Sequence, residues 1–161
     1  MVFRVKDVLG LKIKEIKFNY TVENDFGLQE FTTFIKLSNN EIIQIPYFID
    51  EYWNSNDVIL INEYSKIQFF DNEILKIVGK SIVDFYFVFF ENELNEQEKA
   101  IVEIEDGVYF TEKHFGPVGL TDVNLRILNK DEFNLLKLDI ESEKGFELRS
   151  LKKVLRNNQN L

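Results

Sequence analysis

The chain contains no cysteine, and that absence removes disulfide frameworks, thiolate zinc sites and cysteine nucleophiles together. Two prolines and seven scattered glycines among 161 residues leave no flexible linker and no glycine-rich loop to cradle a phosphate. Long apolar runs are missing too: the longest, Phe85 to Phe90, is far short of the ~20 residues a membrane helix requires. Charge at Arg4, Lys6, Asp7, Lys12 and Lys14 interrupts the N-terminal segment, so it has no apolar signal-peptide centre. The expectation is a cytoplasmic protein with no membrane contact.

Positive charge is also in short supply. Nineteen Lys and Arg face 28 Asp and Glu, a formal charge of −9, which argues against binding nucleic acid by general phosphate neutralisation. A chain of this sign repels polyanions and attracts basic surfaces. With 45% hydrophobic residues it can bury a substantial interior, as a single domain over 1–161 or as two small repeated units sharing a core.

What is present is alternation. From Ile16, apolar Phe18, Tyr20 and Val22 interleave with Lys17, Asn19 and Thr21, the period of a half-buried strand. Phe31–Leu37 and Glu41–Ile45 flank Asn39-Asn40, a plausible hairpin turn because Asn tolerates positive φ. The second half repeats the pattern. Gly10, Ile13, Ile16, Phe18 and Tyr20 match Gly79, Ile82, Phe85, Phe87 and Phe89 at an offset of 69. Thr33, Ile35, Leu37, Asn39-Asn40 and Ile42-Ile43 match Ala100, Val102, Ile104, Asp106-Gly107 and Tyr109-Phe110 at an offset of 67, and Val58–Asn62 falls on Leu125–Asn129.

These matches predict an α+β fold dominated by antiparallel sheet, with an internal duplication into two related four-stranded units, 1–70 and 71–138. Short helices should open each unit at Val2–Leu9 and Asn72–Val78, ending at Gly10 and Gly79, with Asp71 capping the second. The tail, 145–161, carries Phe146, Leu148, Leu151, Val154 and Leu155 at helical spacing among Arg149, Lys152, Lys153 and Arg156, and reads as an amphipathic C-terminal helix. Tyr86, Val88 and Phe90 form a second apolar face on a strand whose counterpart carries Lys17, Asn19 and Thr21. That face needs a cover, supplied by the C-terminal helix or otherwise by a homo-oligomer contact.

No catalytic constellation emerges. His114, in KHFGPVG, lacks a nucleophile motif and reads as part of the exit from a strand ending near Thr111. Glu103 and Glu105 could share a strand face as an acid pair or a cation site, and equally as the wet side of an antiparallel strand. ENELNEQE lacks calcium-loop spacing, and Glu15-Ile16-Lys17 lacks the upstream acid of a nuclease. No catalytic residue, metal ligand or cofactor is assigned.

What remains is surface. Glu91, Glu93, Glu96, Glu98, Glu103, Glu105, Asp106 and Glu112 face only Lys99 between positions 91 and 112, a local charge of about −7. A second patch, IPYFIDEYWNSND, sets Asp50, Glu51, Tyr52 and Trp53 together, the composition of a hot spot for a cationic partner or of a plug closing one end of the sheet. The partner-binding candidates are therefore Glu91, Glu93, Glu96, Glu98, Asp50, Glu51, Tyr52 and Trp53.

In its size, its acidity and its strand-turn-strand segments KLSNNEIIQI and EIEDGVYFTE, the chain resembles the small immunity proteins that bacteria pair with toxins. The resemblance implies a non-catalytic inhibitor that occludes a basic toxin or nuclease, without direct nucleic-acid contact. A DNA-mimicking inhibitor is one alternative, and a small-ligand protein or enzyme using a cavity between the repeats is another.

Overall fold

Alternation and turn chemistry produce two antiparallel meanders joined side by side. The computed structural model describes residues 2–23, 28–55, 57–66, 76–95, 98–115 and 122–159. A short strand β1 (Val2–Arg4) and helix α1 (Val5–Val8) precede the first meander, β2 (Ile13–Glu23), β3 (Leu28–Leu37) and β4 (Ile42–Gln44). After it come β5 (Tyr52–Asn54), which pairs with β1, and helix α2 (Val58–Lys66). The second half holds β6 (Ile82–Phe90), β7 (Glu93–Leu94), β8 (Ile101–Ile104), β9 (Val108–Phe115) and β10 (Asp122–Leu128). Helix α3 (Lys130–Ser142), strand β11 (Phe146–Ser150) and helix α4 (Leu151–Gln159) complete the chain. The larger sheet runs β10-β9-β8-β6-β11, with β7 beside the far end of β6. The fold is α+β with mainly antiparallel sheet and a C-terminal helix.

The meanders meet where both are punctuated by glycine. Gly10 N–H donates to the Ile82 carbonyl at 2.8 Å, and Gly79 N–H to the Ile13 carbonyl at 2.7 Å. Ile13 N–H donates to Lys80, and Ile82 N–H to Leu11, both at 2.9 Å, about a bridge between Lys12 and Ser81. Exchanging the two segments turns each of these bonds into another of the set. Gly10 and Gly79 share φ of +89°, a left-handed backbone that an L side chain adopts only at a cost. The same equivalence extends outward. β2 bulges between Ile13 and Glu15 against Leu37 and Lys36, and β6 between Ile82 and Asp84 against Ile104 and Glu103. Ile35 pairs with Ile43 as Val102 pairs with Phe110. The turns close with Asn40 at φ 71° and Gly107 at φ 69°.

Beyond the meanders the halves differ. Val58–Asn62, expected as a fourth strand, opens helix α2, because Asp57 Oδ1 accepts the Ile59 and Leu60 amides at 3.1 Å and caps it. Leu60 and Tyr64, one turn apart, then pack on Phe34. The first unit is therefore three strands and a helix. Its opening helix is shorter than expected, since Val2–Arg4 is drawn into a ladder with Tyr52–Asn54. Asp71 and residues 72–75 of the second opening helix lie outside the described residues, as does the 116–119 turn.

The expected C-terminal helix is confined to Leu151–Gln159; Phe146–Ser150 instead pairs with Ser150↔Tyr86 through Phe146↔Phe90 as an edge strand of the sheet. Asp84 fixes the change of direction. Its buried Oδ1 accepts the Lys152 amide at 3.2 Å, and Ser150 Oγ accepts the Lys153 amide at 3.3 Å, capping α4.

Two cores result. Ile82, Phe85, Phe87 and Phe89 face the main one, with Ile13, Ile35, Ile43, Val102, Phe110 and Leu151 of α4. Val88, on the other face of β6, packs with Ile101, Tyr109, Leu128, Leu148 and Phe133, and Tyr86 lies against this group. The cover on Tyr86 and Val88 is thus α3, with β11 beside them in the same sheet, while α4 serves the opposite core. This corrects the expected cover, and α3 occupies the place in which Tyr86 and Val88 would have met a second copy. Phe90, 42% exposed, lies against Phe146 with ring centres 4.8 Å apart and the rings tilted.

No atom lies within 4 Å of a Cβ built at Gly10 or Gly79, so replacing either costs backbone conformation and little else. Gly10→Ala and Gly79→Ala should each lower the unfolding free energy by about 1–2 kcal/mol in urea titrations. A loss at only one of them would contradict their structural equivalence.

Candidate functional site

The sequence places an acidic run after β6, and the fold divides it. Glu112 is drawn inward: its side chain is 7% exposed, Oε2 lies 2.6 Å from Lys99 Nζ, and Oε1 accepts the Thr33 amide at 2.7 Å. Glu103 accepts the Tyr86 hydroxyl at 3.1 Å. Glu105 is not on the strand with Glu103; it begins the 3-10 turn Glu105–Gly107, and its Oε1 accepts the Ser81 amide at 2.6 Å. That bonding holds the Glu105 carboxyl below its usual range. The two glutamates therefore form no acid pair. Asp106 pairs with Lys80 at 3.6 Å.

Glu91, Glu93 and Glu98 remain exposed, with no ion pair to a described residue; Glu96 lies outside the described residues. In the second patch, Asp50 is exposed and Tyr52 is 66% exposed. Glu51 is committed internally, its Oε2 accepting the Tyr47 and Phe48 amides at 2.6 and 3.3 Å. Trp53 is 8% exposed, opposite Phe3 in the β1-β5 ladder and part of the main core. A side chain this buried offers a partner little surface. His114 lies in β9 opposite Val123, so the strand runs beyond Thr111 to Phe115.

Of these acids Glu98 lines a cleft of about 510 Å³ under α3. Val88, Ile101, Leu136, Ile140 and Phe146 form its apolar walls, and Tyr47 stands at one side, 37% exposed. Lys99 and Glu112 lie at its floor as a closed, neutral pair, with the ammonium 5.2 Å from the centre of the Tyr47 ring. Thr111 Oγ donates to the Ala100 carbonyl at 3.1 Å, and the Ala100 amide to Pro46 at 2.8 Å, which anchors the loop carrying Tyr47. Glu98, Asp139 and Glu143 complete the lining without an opposing cation among the described residues.

Helix α3, which the sequence reading missed, sets this geometry. Its signal was available: Asn129 and Glu132 form a capping box, with side-chain to amide bonds of 2.8 and 3.1 Å. Phe133, Leu136 and Ile140 then recur at helical spacing. Phe133 stacks on Tyr109 at 4.0 Å and an interplanar angle of 3°, and Lys130 Nζ donates to the Tyr109 hydroxyl at 3.1 Å. Burial of Phe133 contributes about 2–3 kcal/mol, several times what the exposed Lys137–Glu141 pair can add. Among the described residues no three acidic or histidine side chains gather to hold a metal ion, and no helix is long and apolar enough to cross a membrane.

No protein-family model, characterised protein or solved structure matches the chain.

Two consequences can be measured. Lys99→Met leaves the Glu112 carboxylate buried without its countercharge and should cost about 3–5 kcal/mol in urea unfolding, whereas Lys99→Met combined with Glu112→Gln should recover most of the loss. The tyrosine beneath α3 supplies the second. Burial, then the Glu103 charge, raises the Tyr86 phenol above its ordinary value. A raised folded pKa means that this contribution is whole below the unfolded value of about 10 and is lost as pH rises above it. Stability should fall above about pH 10, and less steeply in Tyr86→Phe; identical alkaline profiles would exclude Tyr86 as the source.

Proposed function

We propose that the chain is a non-catalytic binding protein that occludes a basic protein partner through an acidic surface, in the manner of immunity proteins that neutralise toxins or nucleases. The observation that carries this reading is the set of Glu98, Asp139 and Glu143 around an apolar-walled cleft, with Glu91 and Glu93 exposed on the hairpin that follows β6. Stability gives no reason for Asp139 and Glu143. The last turn of α3 carries no basic residue, and Asp139 and the C-capping Glu143 sit at the negative end of the helix dipole, where each costs about 0.3–1 kcal/mol, whereas Glu141 pairs with Lys137 and accepts the Leu148 amide. A basic partner offsets that cost by bringing the missing cations. Steering by such a field raises the association rate and weakens with salt.

A DNA mimic would place its carboxylates in a row along an elongated surface; gathering around a cleft supports protein recognition instead. Glu91, Glu93, Glu98, Asp50 and Tyr52 stay candidates for the contact surface, and the action belongs in the cytoplasm. The test is calorimetric titration against the product of the adjacent gene. A one-to-one complex is expected, with affinity falling as salt rises, and Glu91→Lys with Glu93→Lys should weaken it roughly tenfold or more. A salt-insensitive complex, or one indifferent to both reversals, would remove the acidic surface from the proposal.

A further inference from the structure

The cleft under α3 has a composition that selects among basic partners. Its walls are apolar: Ile101 from β8, Leu136 and Ile140 from α3, and Phe146 from β11. Its floor contributes no net charge, because Lys99 and Glu112 close on one another at 2.6 Å with side chains 11% and 7% exposed. Its remaining charge is negative, from Glu98, Asp139 and Glu143. The C-terminal end of α3, whose last turn includes Asp139 and whose cap is Glu143, adds the negative pole of the helix to the same opening. A bare metal ion needs ligands gathered closely around it, and these carboxylates are not so gathered. An anion would meet three carboxylates, and a neutral apolar group would leave them unanswered.

The complement is a cation on an apolar stem. Arginine meets both requirements: its methylenes pack against aliphatic and aromatic walls while its planar guanidinium can reach carboxylates in two directions. A volume of about 510 Å³ accommodates one such side chain together with an apolar neighbour. Resting on the reading of the chain as a binder of basic proteins, we infer that the cleft between α3 and strands β8 and β9 is the anchor pocket for an arginine side chain of the partner. Glu98, Asp139 and Glu143 engage its guanidinium, and Leu136 and Ile140 hold its stem. Anchors of this kind, desolvated in a pocket, carry most of the energy of an interface.

The probe is a blocked Leu-Arg-Leu tripeptide, set against the same peptide with citrulline in place of arginine, which preserves shape and removes charge. Titrated into the isotopically labelled full chain, the arginine peptide should shift the Ile101, Leu136 and Ile140 amides saturably, with affinity roughly tenfold above that of the citrulline peptide. Asp139→Asn and Glu143→Gln should each weaken it about threefold, while Glu63→Gln on α2, an equal change of charge, should not. Equal shifts with both peptides would make the cleft a plain apolar pocket, and absence of shifts would leave it without this ligand. n-Hexylammonium binding as tightly as the arginine peptide would assign it to a free amine. Each of these three overturns the inference. The Glu91→Lys and Glu93→Lys pair separates it from the broader reading: a partner complex weakened by those reversals but indifferent to Asp139→Asn and Glu143→Gln refutes the pocket alone. Tripeptide seating without any salt-sensitive complex refutes the inhibitor role alone.

Discussion

The architecture depends on the backbone junction between Gly10–Ile13 and Gly79–Ile82. Four N–H groups and four carbonyls that would otherwise be edge positions satisfy one another there, and both glycines must turn left-handed for the exchange to close. Once it closes, the apolar faces of the two meanders are held against each other. Ile13 and Ile82, the residues that make these bonds, are themselves buried, so polar pairing and hydrophobic burial are satisfied by the same short segments. The seam sets where the sheets meet, and thereby which side of β6 remains to be covered.

That remaining side is where the functional surface arises. A strand with Phe85, Phe87 and Phe89 in one core and Tyr86 and Val88 in another cannot be half wet, and α3 is the element that resolves the problem. The helix is pinned near its start by Phe133 and Lys130, beside Tyr109. Toward its end it stands over the Lys99–Glu112 pair with space beneath it, and that space is the cleft. Structural need explains the first two turns of the helix and Glu141, which accepts the Leu148 amide; it does not explain Asp139 or Glu143.

Period-two alternation and turn residues were legible in the sequence, because strands with one buried face write themselves as alternating residues and because Asn40 and Gly107 occupy backbone conformations that few residues tolerate. The matched positions at offsets of 69 and 67 also correspond in register through the bulges and the hairpins. Local rules failed where a single polar contact outweighed propensity. Val58–Asn62 is β-like in composition, yet Asp57 caps it into a helix. Phe146 and Leu148 have helical spacing, yet an unpaired edge of β6 claims them for the sheet. At the site, counting charge from Glu91 to Glu112 overstated the patch, since the fate of Glu112 depends on Thr33 and Lys99, and Thr33 is 79 positions away. Asp139 and Glu143 were missed because their meaning comes from the end of a helix that had not been recognised.

Glu15 and Asp84 occupy the same position relative to the bulges of β2 and β6, the first residue to pair again after the ladder slips. In one meander that carboxylate leans toward Lys17, at 3.5 Å, and is half exposed. In the other it is buried and accepts the Lys152 amide of α4. One backbone irregularity thus serves as a socket that faces side chains of its own half on one side of the molecule and takes a helix start on the other. Because the contact is made by the side chain while the backbone of the residue stays paired in the ladder, the meander keeps its register whether or not anything is plugged into it, and a segment such as β11-α4 can be attached there without rewriting the strands that receive it.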